Sequence, residues 1–172
     1  MKIAQQKKTT LTFTHGGGRL GNQLINFINL LAFHEENKHR LSFVNLSFWL
    51  YSELFDVNSI CAFNKKSSFF VYKKIYQFLT LFKGNLKEKV HSYIIRLFHL
   101  FGMIMPNYQS IVKPGVSILK YTFGKKVDNI NLNNELIESI FNKNTVIAGW
   151  KIRCWDLVEK HQDHIREVLQ VK

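Results

Sequence analysis

The segment that most constrains this chain runs from Leu11 to Phe33. A short β-forming stretch, LTFT, passes through His15-Gly16-Gly17-Gly18-Arg19-Leu20-Gly21 into a long apolar run. Leu24, Ile25, Phe27, Ile28, Leu31 and Ala32 recur at helical spacing, which predicts a helix from about Asn22 to about Glu36. On the same helix Asn22, Asn26 and Asn29 fall at i, i+4 and i+7, a polar stripe. Arg40 to Asn45, RLSFVN, reads as a second strand. Strand, loop, helix and strand in this order open a βαβ unit. The expected fold class is therefore α/β, a Rossmann-like parallel sheet with flanking helices.

A glycine loop that feeds a helix is a ready anion site. The first N–H groups of the helix lack intrahelical partners, and its dipole favours negative charge there. Glycine lets the backbone approach a phosphate closely, and the Arg19 guanidinium matches phosphate bidentately. Four glycines in six positions beside that arginine, with His15 ahead of them, make His15, Gly16, Gly17, Gly18, Arg19 and Gly21 candidate binding residues. Gly16, Gly18 and Gly21 also spell G-x-G-x-x-G, the dinucleotide fingerprint. That fingerprint asks for an acid at the end of the second strand, where this chain has Asn45 and no acid before Glu53. No G-K-[ST] follows, so the loop is not a Walker phosphate loop.

At 172 residues, 46% of them hydrophobic, the chain can bury a full core. Either it is a single Rossmann-like domain over 1–172, or it is the truncated N-terminal part of a larger enzyme, with a basic helical insertion at about 64–126. Further along, Phe48–Phe55 reads as a short helix or packed loop, and Ser67–Lys73 and Val116–Thr122 as strands. A long helix is expected over Leu86–Met105, ended by Gly102 and Pro106, and a shorter one over Leu132–Asn142. Thr145–Gly149 is a buried strand. In the last helix Asp156 and Glu159 are spaced as a capping box, ahead of an apolar side of Leu157, Val158, Ile165, Val168 and Leu169. Cys61 and Cys154 fit no metal spacing and are expected as small apolar residues of a reduced compartment. The N-terminus MKIAQQKKTT has no apolar core of a signal peptide, so a cytoplasmic location is expected. His161 and His164 are expected on a solvated helix face, and Trp150 and Trp155 in core packing.

Gly18-Arg19-Leu20-Gly21-Asn22-Gln23 ahead of an apolar helix resembles the opening motif of the α-1,2-fucosyltransferases and the related G-R-x-G-N-Q segment of protein O-fucosyltransferases. Trp49, Tyr51 and Phe55 loosely fit that family's aromatic segment after the second strand. Gly149-Trp150, with Ile165-Arg166 on the following helix, resembles its G-[YW]-x-Q-S segment and I-R helix, although this chain continues Lys151-Ile152-Arg153. The resemblance covers the two ends of the chain. It implies the N-terminal half of a two-domain, GT-B-like glycosyltransferase that passes fucose from GDP-fucose to a glycan acceptor by an inverting displacement. It makes Arg19 and Asn22 the catalytic candidates, contacting diphosphate or fucose, with Gln23 supporting the loop. GDP-fucose is then the donor substrate, and no metal or other cofactor is expected. The family's H-x-R-R-G-D segment does not occur in these 172 residues, so the expectation is an incomplete or inactive fragment. The alternatives are a dinucleotide-binding oxidoreductase domain and a basic, membrane-associated module without enzymatic activity.

Charge bears on that last alternative. Lys65 to Lys126 holds twelve Lys or Arg against one acid, Glu88, and so carries +11 of the net charge of +12. Its central helix interleaves Lys87, Lys89, Arg96 and His99 with Phe, Leu and Ile, as helices that lie in a membrane interface do. A peripheral contact with an anionic membrane, at its inner face, is the expected partner beside the sugar nucleotide and the acceptor. Nucleic acid is disfavoured, because no recognised module accompanies the charge.

Overall fold

The computed structural model describes residues 8–15, 20–47, 70–112, 125–126, 132, 136–149 and 152–170. Strands β1 (Thr9–His15), β2 (Leu41–Asn45), β3 (Tyr108–Val112), β4 (Lys125–Lys126) and β5 (Asn144–Ala148) form one sheet. Its order is β2-β1-β5-β3-β4, and every pairing is parallel. The helices are α1 (Leu20–Glu36), α2 (Phe70–Leu79), α3 (Gly84–Ile104), α4 (Leu136–Asn142), α5 (Trp155–Lys160) and α6 (Gln162–Val168). The α/β class with an all-parallel sheet flanked by helices is thus present, an arrangement compatible with the Rossmann-like expectation.

Period-two alternation sorts each strand onto two faces. Leu11 and Phe13 of β1, Leu41 and Phe43 of β2, Ile111 of β3 and Ile147 of β5 point into the larger core. That core is closed by Phe27, Leu30 and Leu31 of α1, Ile140 of α4, and Ile165 and Val168 of α6. The opposite face carries Thr14, Val44, Ser110 and Val146 and is covered by α3, with α2 packed beside it at the β2 end. Burial on both sides is the reason the strands read as apolar runs.

The basic stretch from about 64 to 126 supplies α2, α3, β3 and β4. Here the expected elements need correction. From Phe70 onward the Ser67–Lys73 segment, expected as strand, is helix, because Ile75 and Leu79 lie one turn apart and pack with Val44, Leu46, Val90, Ile94 and Phe98. Residues 67–69, like the expected elements at Phe48–Phe55 and Val116–Thr122, lie outside the described residues. The strand that joins this half of the sheet is β3, which the sequence pattern did not reveal. Helix α3 begins at Gly84, whose φ of +52° is the left-handed conformation that glycine adopts without strain. Gly102 does not end α3. It lies inside the helix, where a Cβ would come 3.1 Å from the Gln109 carbonyl oxygen, so its role is close approach to β3. The helix closes at Met105, whose N–H donates to Phe101 O at 3.1 Å.

The C-terminal helix is broken at His161 into α5 and α6. Its cap is also not the expected one: Cys154 holds the N-cap position with no side-chain cap bond, and Asp156 sits inside the first turn. Leu157, Val158, Ile165, Val168 and Leu169 line the core as their spacing predicts.

Candidate functional site

The strand order decides where a site belongs. The chain moves from β1 outward to β2, then crosses to build β3 and β4 on the other side, and β5 returns between β1 and β3. Both β1 and β5 are followed by helices on one face of the sheet, α1 and α5–α6, which pack together, and in parallel sheets ligands bind along the carboxyl edge of the strands. Here that edge joins β1 to β5: the Gly149 N–H donates to the His15 carbonyl at 2.8 Å, after a register shift between Phe13 and His15. His15, the last residue before the glycine loop, and Gly149, the last before Trp150, are therefore joined at this edge.

The candidate residues take the following places. His15 ends β1, half-buried, and burial holds its imidazole below the usual histidine range, so it is neutral near neutral pH. Gly16, Gly17, Gly18 and Arg19 lie outside the described residues. Gly21 and Asn22 stand exposed in the first turn of α1. Among the described residues, a Cβ on Gly21 would meet nothing within 4 Å. Gln23 is buried, and its Oε1 accepts a hydrogen bond from the Ser47 hydroxyl just beyond β2. The Leu46 N–H donates to Phe13 O at 2.7 Å. The start of α1 is thereby fastened to the carboxyl ends of both β1 and β2. Asn45 is the last residue of β2, the position that holds an acid in dinucleotide-binding sites.

The rest of the asparagine stripe is a clamp. Asn29 Oδ1 accepts the Cys154 N–H at 2.7 Å, and its Nδ2 donates to Ile25 O at 2.8 Å. Asn26 Oδ1 accepts the Ile152 N–H at a longer 3.4 Å. Cys154 Sγ donates to Asn29 O at 2.9 Å, and burial pushes this thiol up to about 12, so it stays protonated. The chain leaving β5 is thus stitched back onto α1. Arg153 folds onto its own neighbourhood: Nη1 donates to Ile152 O at 2.7 Å, and the guanidinium carbon lies 5.6 Å from the Trp155 ring centre. Trp155 is half exposed rather than a core residue. Trp150, Lys151, Cys61 and the aromatic trio Trp49, Tyr51 and Phe55 lie outside the described residues.

His161 and His164 also depart from expectation. They join the α5–α6 junction to the end of α1, His161 Nε2 at 2.7 Å from Glu36 Oε2 and His164 Nε2 at 3.3 Å from Glu35 Oε2. Lys160 Nζ adds a 2.8 Å bond to Glu36. Hydrogen bonds from Lys160, then from His161, hold the Glu36 carboxyl below its usual range.

Sequence reasoning missed a buried polar group against the end of β1. His99, read as one of the interleaved basic residues of its helix, is fully buried on the sheet-facing side of α3. Its Nε2 lies 2.7 Å from Thr14 Oγ1 and its Nδ1 2.7 Å from Ser110 Oγ. The Thr14 hydroxyl donates to Ile147 O at 3.1 Å, so toward His99 it can only accept. Nε2 therefore carries the proton, and Nδ1 accepts from Ser110. Desolvation, then the neighbouring His15, bring His99 down to about 4. The available signal was the spacing of His91, Ile95, His99 and Gly102, which share one helix face.

Among the described residues no group of three or more His, Cys, Asp or Glu is placed to hold a metal ion. The arrangement defines an α/β protein with an all-parallel sheet flanked by helices. No protein-family model, curated protein or solved structure matches the chain.

Proposed function

We propose that this chain is a fucosyltransferase-like glycosyltransferase domain, the N-terminal half of a two-domain, GT-B-like enzyme. Its glycine loop holds the diphosphate of GDP-fucose for transfer to a glycan acceptor. The observation that carries this reading is the adjacency of β1 and β5. The two stretches that resemble the fucosyltransferases, Gly18–Gln23 and Gly149–Trp150, follow neighbouring strand ends joined by the Gly149–His15 hydrogen bond. Far apart in sequence, they start from strand ends at one edge of the sheet, and that edge is where α/β proteins hold ligands.

In this reading Arg19 and the N-terminus of α1 meet the diphosphate. As the acceptor hydroxyl attacks the fucose anomeric carbon and GDP departs, negative charge grows on the β-phosphate. Donors fixed there stabilise it as it appears, where catalysis gains most. Asn22, exposed on the same turn, faces the donor, and neutral His15 offers an imidazole to a phosphate or sugar hydroxyl. Gln23 keeps the turn in place through Ser47. Asn45 at the end of β2 lacks the charge that would hold a dinucleotide ribose, which argues against the oxidoreductase reading.

The test is calorimetric titration of GDP-fucose into the chain, with NAD as control and Arg19→Ala as comparison. Binding of GDP-fucose that Arg19→Ala abolishes is the expected result. NAD binding without GDP-fucose binding overturns the proposal in favour of the dinucleotide reading.

A further inference from the structure

Helix α3 is buried on one side and exposes apolar residues on the opposite one. The buried side, His91, Ile95, His99 and Gly102, lies against the sheet. The other carries Leu86, Tyr93, Leu97, Leu100 and Ile104, spaced seven, four, three and four residues apart, which makes a single stripe along the helix. These side chains face outward, with Tyr93 64%, Leu97 63% and Ile104 66% exposed. Beyond it, α2 and the turn after it expose Phe78 at 48% and Leu81 at 76%. Single exposed apolar residues are ordinary, but a continuous stripe of them marks a contact surface. The stripe is edged by cations: Lys83, Lys89 and Arg96 are exposed, and Arg96 lies 5.8 Å from the Tyr93 ring centre. Glu88 is the one acid between Lys65 and Lys126. Among the described residues no helix is long and apolar enough to cross a membrane.

From these observations we infer that the outward face of α3 docks on an anionic lipid bilayer, the helix lying in the interface plane. Leu97, Leu100 and Ile104 enter the acyl boundary, and Lys83, Lys89 and Arg96 meet the headgroup phosphates. Charge complementarity selects this occupant. A second copy of the chain would bring the same basic rim against itself, like charge on like charge. Nucleic acid would satisfy the cations but leave the leucines and isoleucine without an apolar partner. The inference stands apart from the donor reading, because α3 covers the sheet face opposite α1.

The test is co-sedimentation of the full chain with vesicles of phosphatidylcholine alone and of phosphatidylcholine mixed with phosphatidylglycerol. Binding to the anionic vesicles only, weakening as salt is raised, is expected. Leu97→Gln with Ile104→Gln replaces exposed side chains, so the circular dichroism spectrum stays unchanged while affinity falls about tenfold or more. Lys89→Gln and Arg96→Gln each weaken binding about fivefold. Absence of binding at low salt overturns the inference, as does equal binding to neutral vesicles. It is also overturned by a dimer in sedimentation velocity that Leu97→Gln with Ile104→Gln dissociates, which would assign the face to a second copy.

Discussion

Thr14 and His99 meet at 2.7 Å beneath the carboxyl edge of the sheet, and this contact joins α3 to the strand that leads into the glycine loop. Thr14 is the residue before His15, so whatever fixes Thr14 also fixes the exit of β1. The contact belongs to a chain in which each proton has one place: Thr14 to Ile147 O, His99 Nε2 to Thr14, and Ser110 to His99 Nδ1. A second proton on His99 would turn Ser110 from donor to acceptor and put an unpaired charge in the interior.

That chain predicts acid sensitivity. His99 sits at about 4 in the folded protein, against an ordinary 6.5 once unfolded. The folded pKa is the depressed one, so the contribution is fully present above about pH 6.5 and is lost as pH falls toward about pH 4. The loss is on the order of 3 kcal/mol for this residue. His15 and His34 are shifted the same way by burial and add to it. Urea midpoints measured between about pH 7 and about pH 4.5 should fall steadily. His99→Leu lowers stability at neutral pH by about 1–3 kcal/mol, because the buried Ser110 hydroxyl loses its acceptor. The same variant flattens the pH slope. An unchanged slope in His99→Leu would assign the sensitivity elsewhere.

The asparagine stripe makes a second, internal contrast. Asn29→Leu leaves the buried Cys154 N–H without an acceptor and should cost about 1–3 kcal/mol. Asn22 lies on the same stripe but is exposed, so Asn22→Ala should stay within about 0.5 kcal/mol of the parent in stability. Under the proposed function the same Asn22→Ala weakens GDP-fucose binding. Chemical denaturation and calorimetry on both variants separate clamp from site.

How far the fold was legible depended on which residues carried the packing. β1, α1, β2 and β5 announced themselves because most of their apolar residues keep a clean period and are buried, although in α1 Ile25 is exposed while Asn26 and Asn29 are buried. β3 did not, because YQSIV spends two of its five positions on polar side chains with internal partners. Gln109 reaches Ser139 and Thr145, and Ser110 reaches His99. α2 looked like a strand because FFVY has β-forming residues, whereas its neighbours Val44 and Leu46 require a helical repeat. For the site, residue types alone marked the glycine loop as a candidate, and Gly16 to Arg19 lie outside the described residues. The polar cluster at the end of β1 could not be marked that way, since Thr14, His99 and Ser110 come from three separate elements and only the assembled sheet brings them together.

Gly102 was read from sequence as a helix stop, and its real constraint gives a third prediction. A Cβ there would lie 3.1 Å from Gln109 O, 3.3 Å from Gln109 C and 3.4 Å from Val146 Cγ2. The first two are backbone atoms of β3, which is paired to β5 on one side and β4 on the other and cannot yield like a side-chain tip. Alanine would gain about 1 kcal/mol of helix propensity and lose about 1–3 kcal/mol to overpacking. Gly102→Ala should therefore lower the thermal midpoint, and Gly102→Val should lower it further. A rise in the midpoint of Gly102→Ala would mean that α3 can move away from the sheet.

Gly21 is the opposite case, and it links stability to the proposed chemistry. It stands exposed in the first turn of α1, with nothing among the described residues within 4 Å of a built Cβ. Among the described residues nothing requires glycine at this position. Alanine should raise stability by about 0.5–1 kcal/mol, since glycine inside a helix costs that much in backbone entropy. If the first turn of α1 is where a diphosphate approaches the backbone, the added methyl group stands in its path. Gly21→Ala should then melt higher than the parent yet bind GDP-fucose at least tenfold more weakly, about 1.4 kcal/mol of lost affinity. Thermal denaturation and calorimetry on the same protein sample read both effects. Opposite signs in the two measurements identify a glycine kept for its ligand. A variant that is more stable and binds GDP-fucose as tightly as the parent would move the diphosphate away from the first turn of α1.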